Sequence, residues 1–387
     1  MQDLAIRIEK PADAGEVLAI VEAAGADSRT LEIVGGGTKR GIGSARPADA
    51  ILSLEKMNAV IDYAPEELVL TAQPGVTLAE LERLVAAKGQ MLPFEPPHLT
   101  RLLAVKGKPT LGGALAANLS GPRRIRAGAA RDHFLGFSAV TGRGEAMKAG
   151  GKVVKNVTGY DLSKLLAGSW GTLAVLTEVT IKVLPAARTE TTLLLFGLDD
   201  RRACQAMGLA MNAPMELSGA AHLPMAAAAR KPLKGQMPVT ALRLEGVEAS
   251  VASRAESLAA ALRDFGRAER LDAGHSRDFW AQIREVEAFQ ADPRPLWRIS
   301  VPPASGWRVA EALEGDVLYD WAGGLVWALS EADVRPAVRA VGGHATLYKG
   351  TGAAFEPLTG ALAALSARVK AAFDPAGLFN PGRLGDA

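Results

Sequence analysis

The chain has 387 residues, 44 basic and 42 acidic, so its net charge is +2; that length holds two or three ordinary domains, and near-balanced charge gives no electrostatic reason for a nucleic-acid partner. With 48% apolar and 22% charged side chains it is neither disordered nor fibrous. Its one cysteine, Cys204, excludes a disulfide framework, a cysteine-based zinc site and a self-ligated iron–sulfur cluster.

The stretch Met1 to Arg7 lacks the basic and apolar regions of a signal peptide, and no run of about 18 uncharged apolar residues occurs. A cytoplasmic chain without a transmembrane segment is expected. Pro11 opens a helix whose Val17, Leu18, Ile20 and Val21 form an apolar stripe up to Gly25. Leu31–Val34 reads as a strand running straight into Gly35, Gly36, Gly37, Thr38 and Lys39, and Ile51–Leu54 reads as another. Thr77 and Glu80 make a capping box, Leu78, Leu81 and Val85 share one helical face, and Gly89 closes that helix. Pro93, Pro96 and Pro97 then enforce an extended run.

From Thr110 to Pro185 glycine-rich turns alternate with β-rich runs, Phe134–Val140 and Leu173–Leu184 being the clearest strands. Beyond Pro185 the order changes: strand Thr191–Gly197, helix Arg201–Met211, strand Glu216–Ala221, strand Val239–Leu244, helix Ala249–Arg263, strand Ala268–Leu271. This β-α-β-β-α-β order predicts a ferredoxin-like sandwich. A helix over Pro357–Phe373 and the run Asp374–Arg383 close the chain, and no 20–50-residue repeat is visible.

The glycines after the first strand can form an anion-binding nest of backbone N–H groups, or simply a turn between strands. They are not a dinucleotide fingerprint: Gly35, Gly37 and Gly41 are spaced GxGxxxG, and Ile42–Pro47 cannot start the required helix. No GxxxxGK[ST] loop occurs anywhere. A second cluster, Leu111–Gly121, and two more turns, Thr158–Asp161 and Gly168–Thr172, favour a long, flat ligand lying against backbone.

The motifs Gly35–Lys39, Gly112–Gly121, Asp132–Gly144, Lys155–Asp161, Gly168–Lys182 and Phe373–Arg383 resemble, in order, those of the vanillyl-alcohol-oxidase (PCMH-type) flavoproteins. Within them the chain is most similar to the FAD-binding subunits of bacterial glycolate oxidase, above all in Lys152–Asp161 and Gly343–Leu347. The resemblance implies an α+β fold: a PCMH-type FAD-binding domain of two α+β subdomains over residues 1–185, a ferredoxin-like cap over 186–335, and a C-terminal return over 336–387. It implies that Gly35, Gly36, Gly37, Thr38 and Lys39 line the pyrophosphate of FAD, with Pro74, Gly75 and Val76 beside the flavin. Gly112, Gly113, Asn118 and Gly121 would support the cofactor from the other side, and Gly171, Thr172, Val175 and Ile181 its adenine end. It further implies a complex that oxidises glycolate to glyoxylate, with a catalytic FAD subunit and an iron–sulfur subunit as partners; association with the membrane's inner face would come through a partner.

Some relatives attach flavin covalently through a histidine in the first glycine loop; Thr38 stands there, which implies non-covalent FAD. Metal-assisted relatives carry an HxGDGNxH run in the cap, but His98, His133, His222, His275 and His344 supply no chelating pair, so no metal is expected. Related dehydrogenases place an arginine where this chain has Val154, and an apolar side chain cannot grip a substrate carboxylate. An auxiliary flavin subunit in electron transfer follows, with catalytic residues unassigned and His98 and His344 the weak candidates for a base. The rivals are a stand-alone 2-hydroxy-acid dehydrogenase, a scaffold subunit without flavin, and a UDP-sugar enolpyruvate reductase, the last disfavoured by the Phe373–Arg383 ending. Arg123, Arg124, Arg126 and Arg131 form a basic patch that reads as phosphate neutralisation, a docking surface or a solvated loop. Met207–Ala229 reads as an interaction surface or as cap core, and Trp297, Trp307, Trp321 and Trp327 read the same two ways.

Overall fold

A small parallel sheet comes first in the computed structural model, which describes residues 6–43, 46–151, 160–230 and 236–385. Strands β1 (Arg7–Glu9) and β2 (Leu31–Val34) flank β3 (Ala50–Ser53), all parallel, and helix α1 (Ala14–Ala26) makes the crossover such pairing requires. Asp13 caps α1 by accepting from Glu16 N at 2.9 Å, and Val17, Val21 and Ala24 bury its inner face against Leu31 and Leu52.

An antiparallel sheet follows. Its elements are β4 (Val60–Ala64), β5 (Val69–Ala72), α2 (Leu78–Ala86), β6 (Gln90–Met91), α3 (Leu111–Ala116), α4 (Arg124–Ala127), β7 (Phe134–Thr141), β8 (Ala146–Gly150), α5 (Leu162–Leu166), β9 (Ala174–Lys182) and β10 (Leu184–Pro185). Five strands run in the order β4-β5-β9-β7-β8, and β6 pairs separately with β10. Thr77 caps α2 and its Leu78, Leu81 and Val85 are buried, as the capping pattern leads one to expect. Helix α3 occupies part of what reads as a glycine turn. Its Gly112 is there for packing, since a Cβ would lie 2.6 Å from Pro74 Cβ.

The cap consists of β11 (Thr189–Phe196), α6 (Asp200–Asn212), β12 (Gly219–Leu223), α7 (Met225–Ala228), β13 (Val239–Gly246), α8 (Glu248–Ala261), β14 (Glu269–Leu271), α9 (Ala273–Arg284), β15 (Leu296–Ser300), α10 (Gly306–Glu311), β16 (Asp316–Asp320), β17 (Leu325–Leu329), α11 (Arg335–Ala340) and β18 (His344–Lys349). One eight-stranded sheet runs β14-β11-β13-β12-β16-β17-β15-β18. The first half is the expected ferredoxin-like unit. The second half, β15-α10-β16-β17-α11-β18, repeats the same order, and the two units meet through β12 and β16 at His222 and Tyr319. The cap is therefore a tandem repeat, which the sequence conceals. The boundary placed at residue 335 cuts through this second unit, because α11 and β18 complete its sheet. The return to the first two layers comes later, through α12 (Gly360–Phe373).

Candidate functional site

A cleft opens where β2 runs out between the parallel sheet and α3. The loop that floors it is shaped by close crossings. A Cβ on Gly36 would lie 1.5 Å from Lys108 O, so the glycine loop and the chain at 107–108 pass backbone to backbone. Gly37 lines the cleft at φ +71°, where a Cβ would meet Arg40 and Val34 only at an ordinary 3.8 Å, so it is the left-handed backbone that calls for glycine. Lys39 enters the cleft half-buried and donates to Thr38 Oγ1 at 3.1 Å. Burial pulls its ammonium down to about 8, and distant Glu285 only partly opposes this. No carboxylate pairs with Lys39 among the described residues.

The opposite end of the chain fastens this loop. Asn380, itself at φ 46°, accepts from Ile33 N at 2.8 Å and donates from Nδ2 to Trp170 O at 2.7 Å. Its backbone N–H donates to Leu31 O at 2.9 Å. Arg383 is buried and donates to the carbonyls of Arg40 and Ile42. Asp374, also buried, accepts from Leu378 N and Phe379 N at 2.9 Å each and holds this return in shape. Trp170, bulky yet at φ 55°, and Gly171 form the facing wall.

Of the residues expected around a cofactor, Gly35, Gly36, Gly37, Thr38, Lys39, Pro74, Gly112, Gly113 and Gly171 line the cleft together. The other seven stand behind it. Gly75 packs its backbone against Leu54 and Met57, Val76 and Ile181 are in the core of the antiparallel sheet, and Val175 is in the core under β2. Asn118 accepts from Arg131 N, Thr172 donates to Ser169 O, and Gly121 approaches Glu95 O while its own carbonyl accepts from Trp321 Nε1 at 3.0 Å. Sequence reading missed Trp170, Asn380 and Arg383, although the Asn380–Arg383 run was the signal that could have found the last two. Lys152–Gly159, and with it Val154, lies outside the described residues.

The basic patch is neither a phosphate site nor a solvated loop as a whole. Arg123 bonds Glu95 at 3.0 Å and Glu245 of the cap at 2.8 Å, and Arg126 pairs with Glu216 of the cap at 2.7 Å. Arg243, fully buried in the cap, donates to both carboxylate oxygens of Glu95 at 3.0 Å. Burial works against the charge on Glu95, but Arg243 and Arg123 outweigh it and hold the carboxyl below its usual range. In the same way, against burial, Arg243 and Arg123 hold Glu245 at about 2. The patch thus clamps the cap to the first two layers. Arg131, paired with neighbouring Asp132 at 3.8 Å, stays on the surface. Arg124 behaves differently: its guanidinium stacks on Trp321 at 4.1 Å and meets no carboxylate among the described residues.

Trp297, Trp321 and Trp327 are buried in the cap and Trp307 packs against the same core, so they anchor the cap internally. Met207 is buried, Met211 and Met215 pack against that core, and of these methionines Met225 is the exposed one. His98 lies by Glu82 at 3.5 Å and is absent from the cleft's walls. His344 sits at the start of β18, opposite Ser300.

A family model described as an FAD binding domain matches residues 6–150. The glycolate oxidase subunit GlcE of Escherichia coli (strain K12) is 36% identical over 363 residues, covering 92% of this chain and 93% of that protein. The glycolate oxidase subunit GlcD of Bacillus subtilis (strain 168) is 35% identical over 144 residues, 37% of this chain and 29% of that protein. Among solved structures, p-cresol methylhydroxylase superposes with a TM-score of 0.72 at 14% identity over 98% of this chain and 88% of that one, which shows a shared PCMH-type fold.

Proposed function

The chain belongs to the FAD-binding glycolate oxidase subunit family, and from that premise we propose that it holds FAD non-covalently in the cleft above Gly37 and passes electrons between partner subunits. The observation that carries this reading is the cleft itself: an unpaired, half-buried Lys39 beside a left-handed Gly37 and backbone-lined walls suits a pyrophosphate, whose charge replaces the water Lys39 has lost. When bound, FAD supplies hydride and single-electron transfer. Thr38, where a tethering histidine would stand, offers only a hydroxyl already bonded to Lys39. Thr110 and the Asn380–Arg383 return keep the two cleft walls at fixed spacing, which orients a long ligand without many charged contacts. Cys204 is buried and its thiol is pushed up to about 12 by burial, so it cannot serve as a thiolate ligand. Onward transfer therefore requires an iron–sulfur partner, alongside a catalytic FAD subunit whose substrate is glycolate or a similar 2-hydroxy acid. No helix among the described residues is long and apolar enough to cross a membrane.

A second reading, in which this chain turns over a 2-hydroxy acid by itself, draws support from Arg124 of α4 and Arg298 of the cap, two guanidiniums on one indole with no carboxylate partner among the described residues. The visible spectrum of the purified chain separates the readings. A flavin band released by acid precipitation and not bleached by anaerobic glycolate is the expected result. Flavin that stays with the precipitate overturns non-covalent binding, bleaching by glycolate alone establishes the second reading, and a chain that takes up no FAD refutes both.

A further inference from the structure

The two halves of the cap sheet present the same face to the FAD-binding layers, and they treat it differently. On the first half α9 covers that face, and its one buried guanidinium, Arg243, is matched by Glu95. On the second half the strand register puts Arg298, Trp327, His344 and Thr346 side by side on that face. Arg298 stacks on Trp321 at 5.0 Å and on Trp327 at 6.0 Å, while Arg124 reaches the same Trp321 ring from α4. Neither arginine has a carboxylate partner among the described residues. The acids whose charges act on this group are each engaged: Asp320 accepts from Trp321 N at 2.7 Å, Glu356 from Arg339 at 2.8 Å and Asp132 from Ala129 N at 2.8 Å.

Two cations on one indole repel each other unless an anion joins them, and burial together with Arg298 lowers the affinity of Arg124 for its proton. The backbone that places this indole is strained as well. Trp321 and Ala322 both stand in the left-handed region, at φ 52° and 57°, on the corner between β16 and β17. Trp321 Nε1 donates to Gly121 O at 3.0 Å, at the far end of the loop that leaves α3, so this indole stands at the junction between the cap and the layers that carry the cofactor cleft.

We propose that Arg298 and Arg124, framed by Trp321, Trp327, His344 and Thr346, form a recess for the carboxylate of a small 2-hydroxy or 2-oxo acid. The planar fork of a guanidinium matches a carboxylate in two parallel hydrogen bonds, and the two indoles limit the ligand to a few atoms. This assignment rests on FAD occupying the cleft above Gly37. It gives this chain its own acid-binding position, supplied from the cap rather than from the position of Val154.

The test is calorimetric titration of oxalate, a dicarboxylate with no hydrogen to lose, into the full-length flavin-loaded chain, with flavin absorbance followed in parallel. Oxalate binding is expected, weakened roughly tenfold or more in Arg298→Met and in Arg124→Met and partly restored in Arg298→Lys, all at unchanged flavin content. Equal affinity in wild type and variants, or no binding to the flavin-loaded wild type, overturns the proposal. So does loss of flavin in place of oxalate in folded Arg298→Met, which assigns the pair to the cofactor, and so does inorganic phosphate binding as tightly as oxalate. If the wild type takes up no FAD, the cofactor reading fails by that result, and an Arg298-dependent oxalate signal still establishes the recess.

Discussion

The two cap units share one topology and face the same neighbour, yet one is sealed and the other open. In the first, Arg243, Arg123, Glu95 and Glu245 pair with one another across the domain junction, and the cost of burying four charges is offset only because each has its partners. In the second, Arg298 stands at the same junction with aromatic faces instead of acids. Duplicated architecture meets the same neighbour through paired charges in one half and through stacked cations and indoles in the other.

The largest effect is expected from breaking the sealed half. Glu95→Gln leaves Arg243 and Arg123 without their shared carboxylate and should cost about 3–5 kcal/mol, read from urea unfolding; a loss below about 1 kcal/mol would show that the network is not what joins the domains. Acid probes the same half without mutation. Because Glu245 is held at about 2, below the ordinary carboxylate value of 4.5, its contribution is present above pH 4.5 and is lost as pH falls toward 2. Thermal melts across that window should fall more steeply for the wild type than for Glu245→Gln. On the cofactor side, Lys39→Met should weaken FAD binding roughly tenfold at pH 7. Since the Lys39 ammonium sits at about 8, wild-type affinity should also decline between pH 7 and 9, and the variant's should stay flat. The smallest effect sharpens the comparison from the other half: Arg298→Met should change unfolding stability by no more than about 0.5 kcal/mol, since it breaks no ion pair among the described residues. A loss like that of Glu95→Gln would mean that both halves are structural.

The elements legible in the sequence were those with local signals. Thr77 and Glu80 mark α2, the β-rich runs mark β7 and β9, and the first cap unit shows in full because α6 and α8 are long enough to display periodicity. The second cap unit hid because α10 and α11 have six residues each and β17 is apolar on both faces, so neither shows a period. The glycine loop drew attention to the cleft for a reason only partly about ligand, since Gly36 is required by the chain at 107–108 as well. Val175 and Ile181 sit in one strand, β9, whose buried faces look alike whether they meet a cofactor or a core. The arginine patch was visible, but its partners Glu95, Glu216 and Glu245 lie 28 to 122 residues away in the chain, beyond any local pattern.

The bond from Ile33 to Asn380 joins residues 347 positions apart, and those of Arg383 to the first glycine loop span nearly as far. Closing such a loop is entropically slow and has little to reward it until the intervening cap has folded. Synthesis runs from the N-terminus, so the glycine loop emerges early and waits for a clasp made only after the whole cap has left the ribosome. The cleft is thus a late product of folding, and cofactor capture can serve as the step that reports a correctly finished chain.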